Sequence, residues 1–152
     1  MSTNERFTYD GMYKVSFEPP SQNHIFHPQT NPLGVLPENL QTEGFVSGPK
    51  ILEYKYSLNG LIEDLETGEK VIKDLGLGIV WETGAEYRQH YHIVSLLDPD
   101  NLAERQYHGI THVVQNYQTN AREMDLIVLS ELISFLNEPD KTIALQRGKY
   151  DS

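Results

Sequence analysis

The chain contains no cysteine, which excludes disulfides, thiol catalysis and cysteine-ligated zinc. No apolar run approaches the roughly 18 residues that a membrane-spanning helix needs. The opening stretch, MSTNERFTYDGMYK, lacks the apolar core of a signal peptide. Basic residues are scarce: 12 Lys and Arg stand against 22 Asp and Glu, for a net charge of −10. A protein that grips nucleic-acid phosphates needs clustered cations, and no stretch concentrates them here. The expectation is a soluble intracellular product, or a particle assembled in the cytoplasm, with an acidic surface. Such a surface keeps a protein in solution, and it also lets nucleic acid slide past without sticking.

Proline is nearly absent from the second part of the chain. Six of the eight prolines (Pro19, Pro20, Pro28, Pro32, Pro37 and Pro49) lie in residues 1–49. Proline fixes φ and removes a donor, so this segment is neither helix nor central strand beyond a short run at Met12–Phe17. It nevertheless carries Phe7, Tyr9, Tyr13, Phe17, Ile25, Phe26, Leu33, Val35, Leu36 and Leu40, too many large apolar groups for a solvated linker. Residues 1–49 are therefore expected to form an extended arm lying on a surface, its own or a neighbour's. Residues 50–152 are expected to form a single α+β domain: an antiparallel sheet of about four to six strands under one main C-terminal helix.

Within that domain Leu77–Trp81 reads as a short buried strand, with Trp81 in the core beside the helix. Tyr87–Leu97 returns as another strand, and Asp98-Pro99-Asp100-Asn101 is a turn. Arg105–Gln118 is rich in β-branched and aromatic residues and reads as a third strand. Asn120 and Glu123 then make a capping-box arrangement, and Met124, Ile127, Val128, Leu132, Ile133, Phe135 and Leu136 recur at helical spacing up to Pro139. A helix over 120–137 follows, with Leu126 and Leu129 widening its apolar stripe beyond one face. Thr142–Gln146 reads as an edge strand. Residues 57–75 are ambiguous between a helix and a hairpin turning at Glu66-Thr67-Gly68-Glu69, and the hairpin is preferred.

Six histidines are the main candidates for chemistry. A tight hairpin about Asn101 sets His90 opposite His112, and His92 shares the face of His90. His90, His92 and His112 would then form a three-imidazole zinc or iron site. Gly84 before His90-Tyr91-His92, and Gly109-x-x-His112-x-x-x-Asn116, resemble the two cupin motifs. The cupin glutamate is absent, and only 19 residues separate His92 from His112. The alternative is that these are polar-face or interface histidines, and no metal, cofactor or catalytic residue is assigned. Glu63, Asp64, Glu66 and Glu69 with Lys70 and Lys73 read as a solvated face.

The order of parts (a strand, the turn Thr83-Gly-Ala-Glu-Tyr87, a strand, then a strand feeding an amphipathic helix) resembles the tail-terminator and tail-completion proteins of long-tailed bacteriophages. Arg105-Gln-Tyr-His-Gly-Ile-Thr-His-Val-Val through Asp125-Leu-Ile-Val and Phe135-Leu136 carries most of this likeness, which spans residues 77–138. The resemblance implies a non-enzymatic virion protein forming a ring, usually of six subunits, that stops tail-tube growth and joins the tail to the head. Its partners would be tail-tube and neck proteins, with DNA passing through the lumen. Leu126, Leu129, Tyr117 and Phe26 are the candidate subunit-contact residues. Members of that group usually begin with a helix, whereas this chain begins with the proline-rich segment. A cytoplasmic binding or inhibitor protein, and a small cupin-like enzyme, remain the alternatives.

Overall fold

In the computed structural model, residues 9–14, 16–17, 24–39, 45–46, 50–68 and 70–150 are described. The strands are β1 (Gly11–Tyr13), β2 (Ser16–Phe17), β3 (Phe45–Val46), β4 (Lys50–Ser57), β5 (Leu75–Glu82), β6 (Tyr91–Ser95), β7 (His112–Asn116) and β8 (Arg122–Val128). The helices are α1 (Leu58–Glu66), α2 (Leu129–Asn137) and α3 (Pro139–Tyr150). Six strands form one sheet in the order β1-β4-β5-β8-β7-β6, and β2 pairs with β3 separately. The fold is α+β, but the sheet is mixed. β4 and β5, and β5 and β8, run parallel, while the β8-β7-β6 side and β1 are antiparallel.

The parallel pair β4/β5 follows from α1. Ser57 caps that helix by accepting from the Asn59 amide, and Leu58, Leu61 and Ile62 bury its inner face. A helix between two strands is the crossover that parallel neighbours need, whereas a hairpin over 57–75 would have made them antiparallel. The hairpin expectation is thus corrected. Thr67-Gly68 ends a helix, and Gly68 takes the left-handed conformation (φ 80°) common just past a helix end.

The long helix expected over 120–137 is likewise corrected. Arg122–Val128 is strand, with Met124, Leu126 and Val128 facing the helices, and only Leu129–Asn137 is helical. Asn120 sits in the β7–β8 turn with φ 60° instead of capping a helix; Asn116 Oδ1 accepts from the amides of Gln118 and Thr119 there. Pro139 opens α3, a position where its missing donor costs nothing. Thr142–Gln146 belongs to that helix and not to an edge strand.

The helices cover one face of the sheet. Leu58, Leu61, Ile62, Val80, Ile93, Val114, Met124, Leu126 and Val128 form the core between them. Gly78 makes room for it, since a Cβ there would stand 3.2 Å from both Leu126 and Met124. On the other face, Leu77 and Val113 pack under Leu96 and Ile110 of the 96–111 loop, flanked by Tyr13 and Tyr107. The loop holds Arg105, whose side chain is fully buried. Its guanidinium donates to the carbonyls of Ile110 (2.8 Å), Leu96 (3.0 Å), Gly34 (2.9 Å) and Pro32 (3.1 Å). Burial pulls its pKa down to about 10, which still leaves it charged at neutral pH.

Two of those carbonyls belong to the proline-rich segment. Residues 24–39 fold back through bridges between Ile25 and Val35 and between His27 and Asn31. They dock on the 96–111 loop of the same chain: the Gly109 amide donates to Leu33 O, and Asn39 Nδ2 donates to Ala103 O and Arg105 O. Gly34 is required by close approach, because a Cβ would sit 2.6 Å from the Phe26 nitrogen. Most of the rest of the expected arm, 1–49, lies outside the described residues.

Arg105 is thus the joint between this segment and the sheet. Arg105→Met should lower stability by roughly 3–5 kcal/mol, since four carbonyls, three of them in buried bonds, lose a charged donor. Urea denaturation measures this, and a change within the roughly 0.5 kcal/mol of an ordinary surface substitution would contradict the assignment.

Candidate interaction surface

The structure disperses the histidines. The β6/β7 pairing is antiparallel, but it is slid by five positions, so that His112 faces Ser95 instead of His90 and His92 faces Gln115. His90 stands outside the strand, with its Nε2 3.0 Å from Glu66 Oε1. His92 is exposed on the opposite face from His112 and stacks on Tyr117, with ring centroids 5.6 Å apart. His112 is wholly buried beneath α3. The three side chains do not converge, so the unassigned three-histidine alternative has no geometry behind it. Among the described residues, no group of three or more His, Asp or Glu could hold a metal.

His112 belongs to a buried polar cluster, centred on Glu131, that sequence reasoning missed. Gln146 Nε2 donates to Glu131 Oε1 at 2.6 Å, and the Tyr150 hydroxyl lies 2.8 Å from both carboxylate oxygens. His112 Nε2 donates to Gln146 Oε1 at 2.8 Å and stands 3.3 Å from Glu131. Ser95 Oγ donates to the same Gln146 oxygen, Thr111 Oγ1 meets His112 Nδ1 at 2.7 Å, and Thr83 Oγ1 meets Tyr150 OH at 3.1 Å. Burial pushes the Glu131 carboxyl up, but the nearby His112 imidazole, by contact and charge, and the hydrogen bonds from Gln146 and Tyr150 outweigh it and bring the pKa down to about 2. The cluster pins α2 and α3 to strands β6 and β7. Arg147 of α3 adds a two-point pair with Asp98, which holds that carboxyl below its usual range.

Pinning α2 decides what it exposes. Phe135 is buried and Leu132 half-buried, while Leu129, Ile133 and Leu136 are 37%, 47% and 58% exposed. At about 100° per residue these five side chains span an apolar arc of about 160°, of which the fold covers one side. A second apolar area lies on the part of the sheet that stays open among the described residues. Tyr54 and Tyr56 of β4 are 54% and 70% exposed, and Trp81 of β5 is 42% exposed. Lys55, between the two tyrosines, bonds Asp64 of α1 on the helix face, so Tyr54 and Tyr56 point the other way. Tyr54 pairs with Ile79, and the register sets Tyr56 beside Trp81. Trp81 is therefore a surface residue and not the core residue expected, although its carbonyl accepts from Ser130 of α2.

Of the expected contact residues, Leu129 and Tyr117 are exposed. Leu126 is fully buried in the sheet against Leu61 and Met124, so it belongs to the chain's own core; its assignment to a subunit contact is corrected. Phe26 is half-buried in the docked segment, its amide donating to Val35 O. The charge run is only partly solvated: Glu63 and Glu66 are exposed, but Asp64 pairs with Lys55 at 2.8 Å, and Lys70 makes a 2.9 Å pair with buried Glu53.

Protein-family models, curated proteins and solved structures were compared with the chain, and none matches it.

The depressed pKa of Glu131 predicts acid sensitivity. Its stabilising contribution is complete above its ordinary value of 4.5 and is lost as pH falls from there towards 2. The size is about 3 kcal/mol. Glu131→Gln should therefore flatten the loss of stability between these limits, followed by urea denaturation at each pH. An unchanged profile would mean that Glu131 is not held ionised by this cluster.

Proposed function

We propose that the chain is a subunit of a homo-oligomeric virion ring of the tail-terminator or neck kind, in which the exposed arc of α2 packs on the open sheet face of the next copy. The observation that carries this reading is the presence of two unlike apolar surfaces on one chain. A ring of more than two copies needs a head-to-tail contact between different patches. Leu129, Ile133 and Leu136 supply one patch, and Tyr54, Tyr56 and Trp81 the other. Aromatic residues are the usual anchors of such contacts.

Charge supports the same arrangement. Copies carrying −10 each repel one another, so the contact that joins them is apolar. An acidic lumen would let DNA phosphates pass without adsorbing. Covering what remains exposed of each α2 side chain contributes roughly 1 kcal/mol, and the three together with the aromatic patch offset the cost of association only when repeated around a closed ring. Neighbouring tail-tube and neck proteins would then stack on the ring's two faces.

Ile133→Asp should leave the monomer folded by circular dichroism, because its side chain faces solvent, and should abolish rings in negative-stain images. Leu129→Asp should do the same, and both should block joining of tails to heads in an infection. Rings that persist in both variants would remove α2 from the contact.

A further inference from the structure

We propose that the cleft between the end of α1, the 86–90 turn and the 116–118 turn binds a neutral sugar, a single hexose ring. The cleft has a volume of about 410 Å³, within the roughly 300–1,000 Å³ of small-molecule sites. Ile62 and Leu65 of α1 give it an apolar floor, and Tyr91 and Tyr117 line it as well. Its polar lining is made of Gln89, Asn116, Gln118 and the Glu66–His90 pair.

These groups match the chemistry of a pyranose. One face of such a ring is a patch of C–H groups that lies against an aromatic ring, and its edge is a row of hydroxyls. Each hydroxyl both donates and accepts, as does each side-chain amide. Among the described residues, no hydrogen bond engages the side-chain amides of Gln89 or Gln118, or the hydroxyls of Tyr91 or Tyr117. No Lys or Arg lines the cleft, and the chain carries −10, so a phosphate or other anionic ligand is disfavoured. His90 Nε2 lies 3.0 Å from Glu66 Oε1 and orients the carboxylate, which can accept from a sugar hydroxyl.

The walls are fixed before any ligand arrives. The Tyr117 amide donates to the His90 carbonyl, the His90 amide donates to Tyr87 O, and the Asn116 side chain holds the amides of Gln118 and Thr119. Preorganisation of this kind removes much of the ordering cost of binding. The cleft stands apart from α2, so the proposal does not rest on ring formation.

Saturation-transfer NMR on the full chain, with the methyl glycosides of glucose, galactose, mannose and N-acetylglucosamine, tests the site. At least one should receive saturation through its ring C–H protons, and Tyr117→Ala should weaken its binding about tenfold, the loss of one stacking ring. Gln118→Ala, on an exposed turn, should weaken it severalfold and serves as the second variant if Tyr117→Ala fails to fold. Tyr56→Ala, on the open sheet face, should leave it unchanged. The proposal is overturned if none of the four glycosides binds, if binding is indifferent to both variants of the cleft, or if choline or glucose 6-phosphate binds there in preference.

Discussion

The carboxylate of Glu131, kept ionised in a nearly closed site, is the constraint from which the C-terminal half takes its arrangement. A buried carboxylate is costly unless its oxygens are satisfied, and here the donors come from α3, through Gln146 and Tyr150, with His112 of β7 alongside. Those donors are themselves held by Ser95, Thr111 and Thr83, which lie on or next to three strands of the sheet. Rotating α2 about its axis would withdraw Glu131 from all of them. The rotation is therefore set by polar groups, and the apolar arc is left facing outward as a consequence. A helix positioned by hydrophobic contact alone would have turned Leu129 and Ile133 inward.

Arg105 plays the corresponding part on the other face. One guanidinium ties the 96–111 loop and the proline-rich segment together through four carbonyls and, among the described residues, no carboxylate. The loop in turn covers Leu77 and Val113, and so closes half of that sheet face. The other half, with Tyr54, Tyr56 and Trp81, stays open among the described residues. Of the two surfaces offered for assembly, the α2 arc is set by the Glu131 cluster, and the sheet patch is the part of the face that the loop held by Arg105 does not reach.

Parts of this organisation were legible in the sequence. Leu77–Trp81 reads as strand because it is short, apolar and bounded by turn signals, and it forms the middle of β5. The stretch from Met124 to Leu136 misled because strand and helix abut without a break. Met124, Leu126 and Val128 alternate, yet Met124, Ile127 and Val128 also fit a helical period. Helix α3 was hidden for a different reason: its buried positions, Thr142 and Gln146, are polar, so no hydrophobic pattern marks the face. The same fact concealed the Glu131 cluster, whose members come from five separate segments. The metal-site geometry rested on a tight hairpin about Asn101, whereas the chain spends residues 96–111 on an excursion that slides the register by five. The mixed sheet was out of reach once 57–75 was read as a hairpin, since the crossover helix is what makes β4 and β5 parallel.

The central claim is a head-to-tail contact between the α2 arc of one copy and the open sheet face of the next. A photo-crosslinking amino acid placed at Ile133 tests it most directly, with the crosslinked peptides identified by mass spectrometry. The expected product joins position 133 of one copy to the Tyr54–Tyr56 region of another, in a ladder of covalent oligomers. Crosslinks only within one chain, or only from α2 to α2 in a covalent dimer, would contradict it.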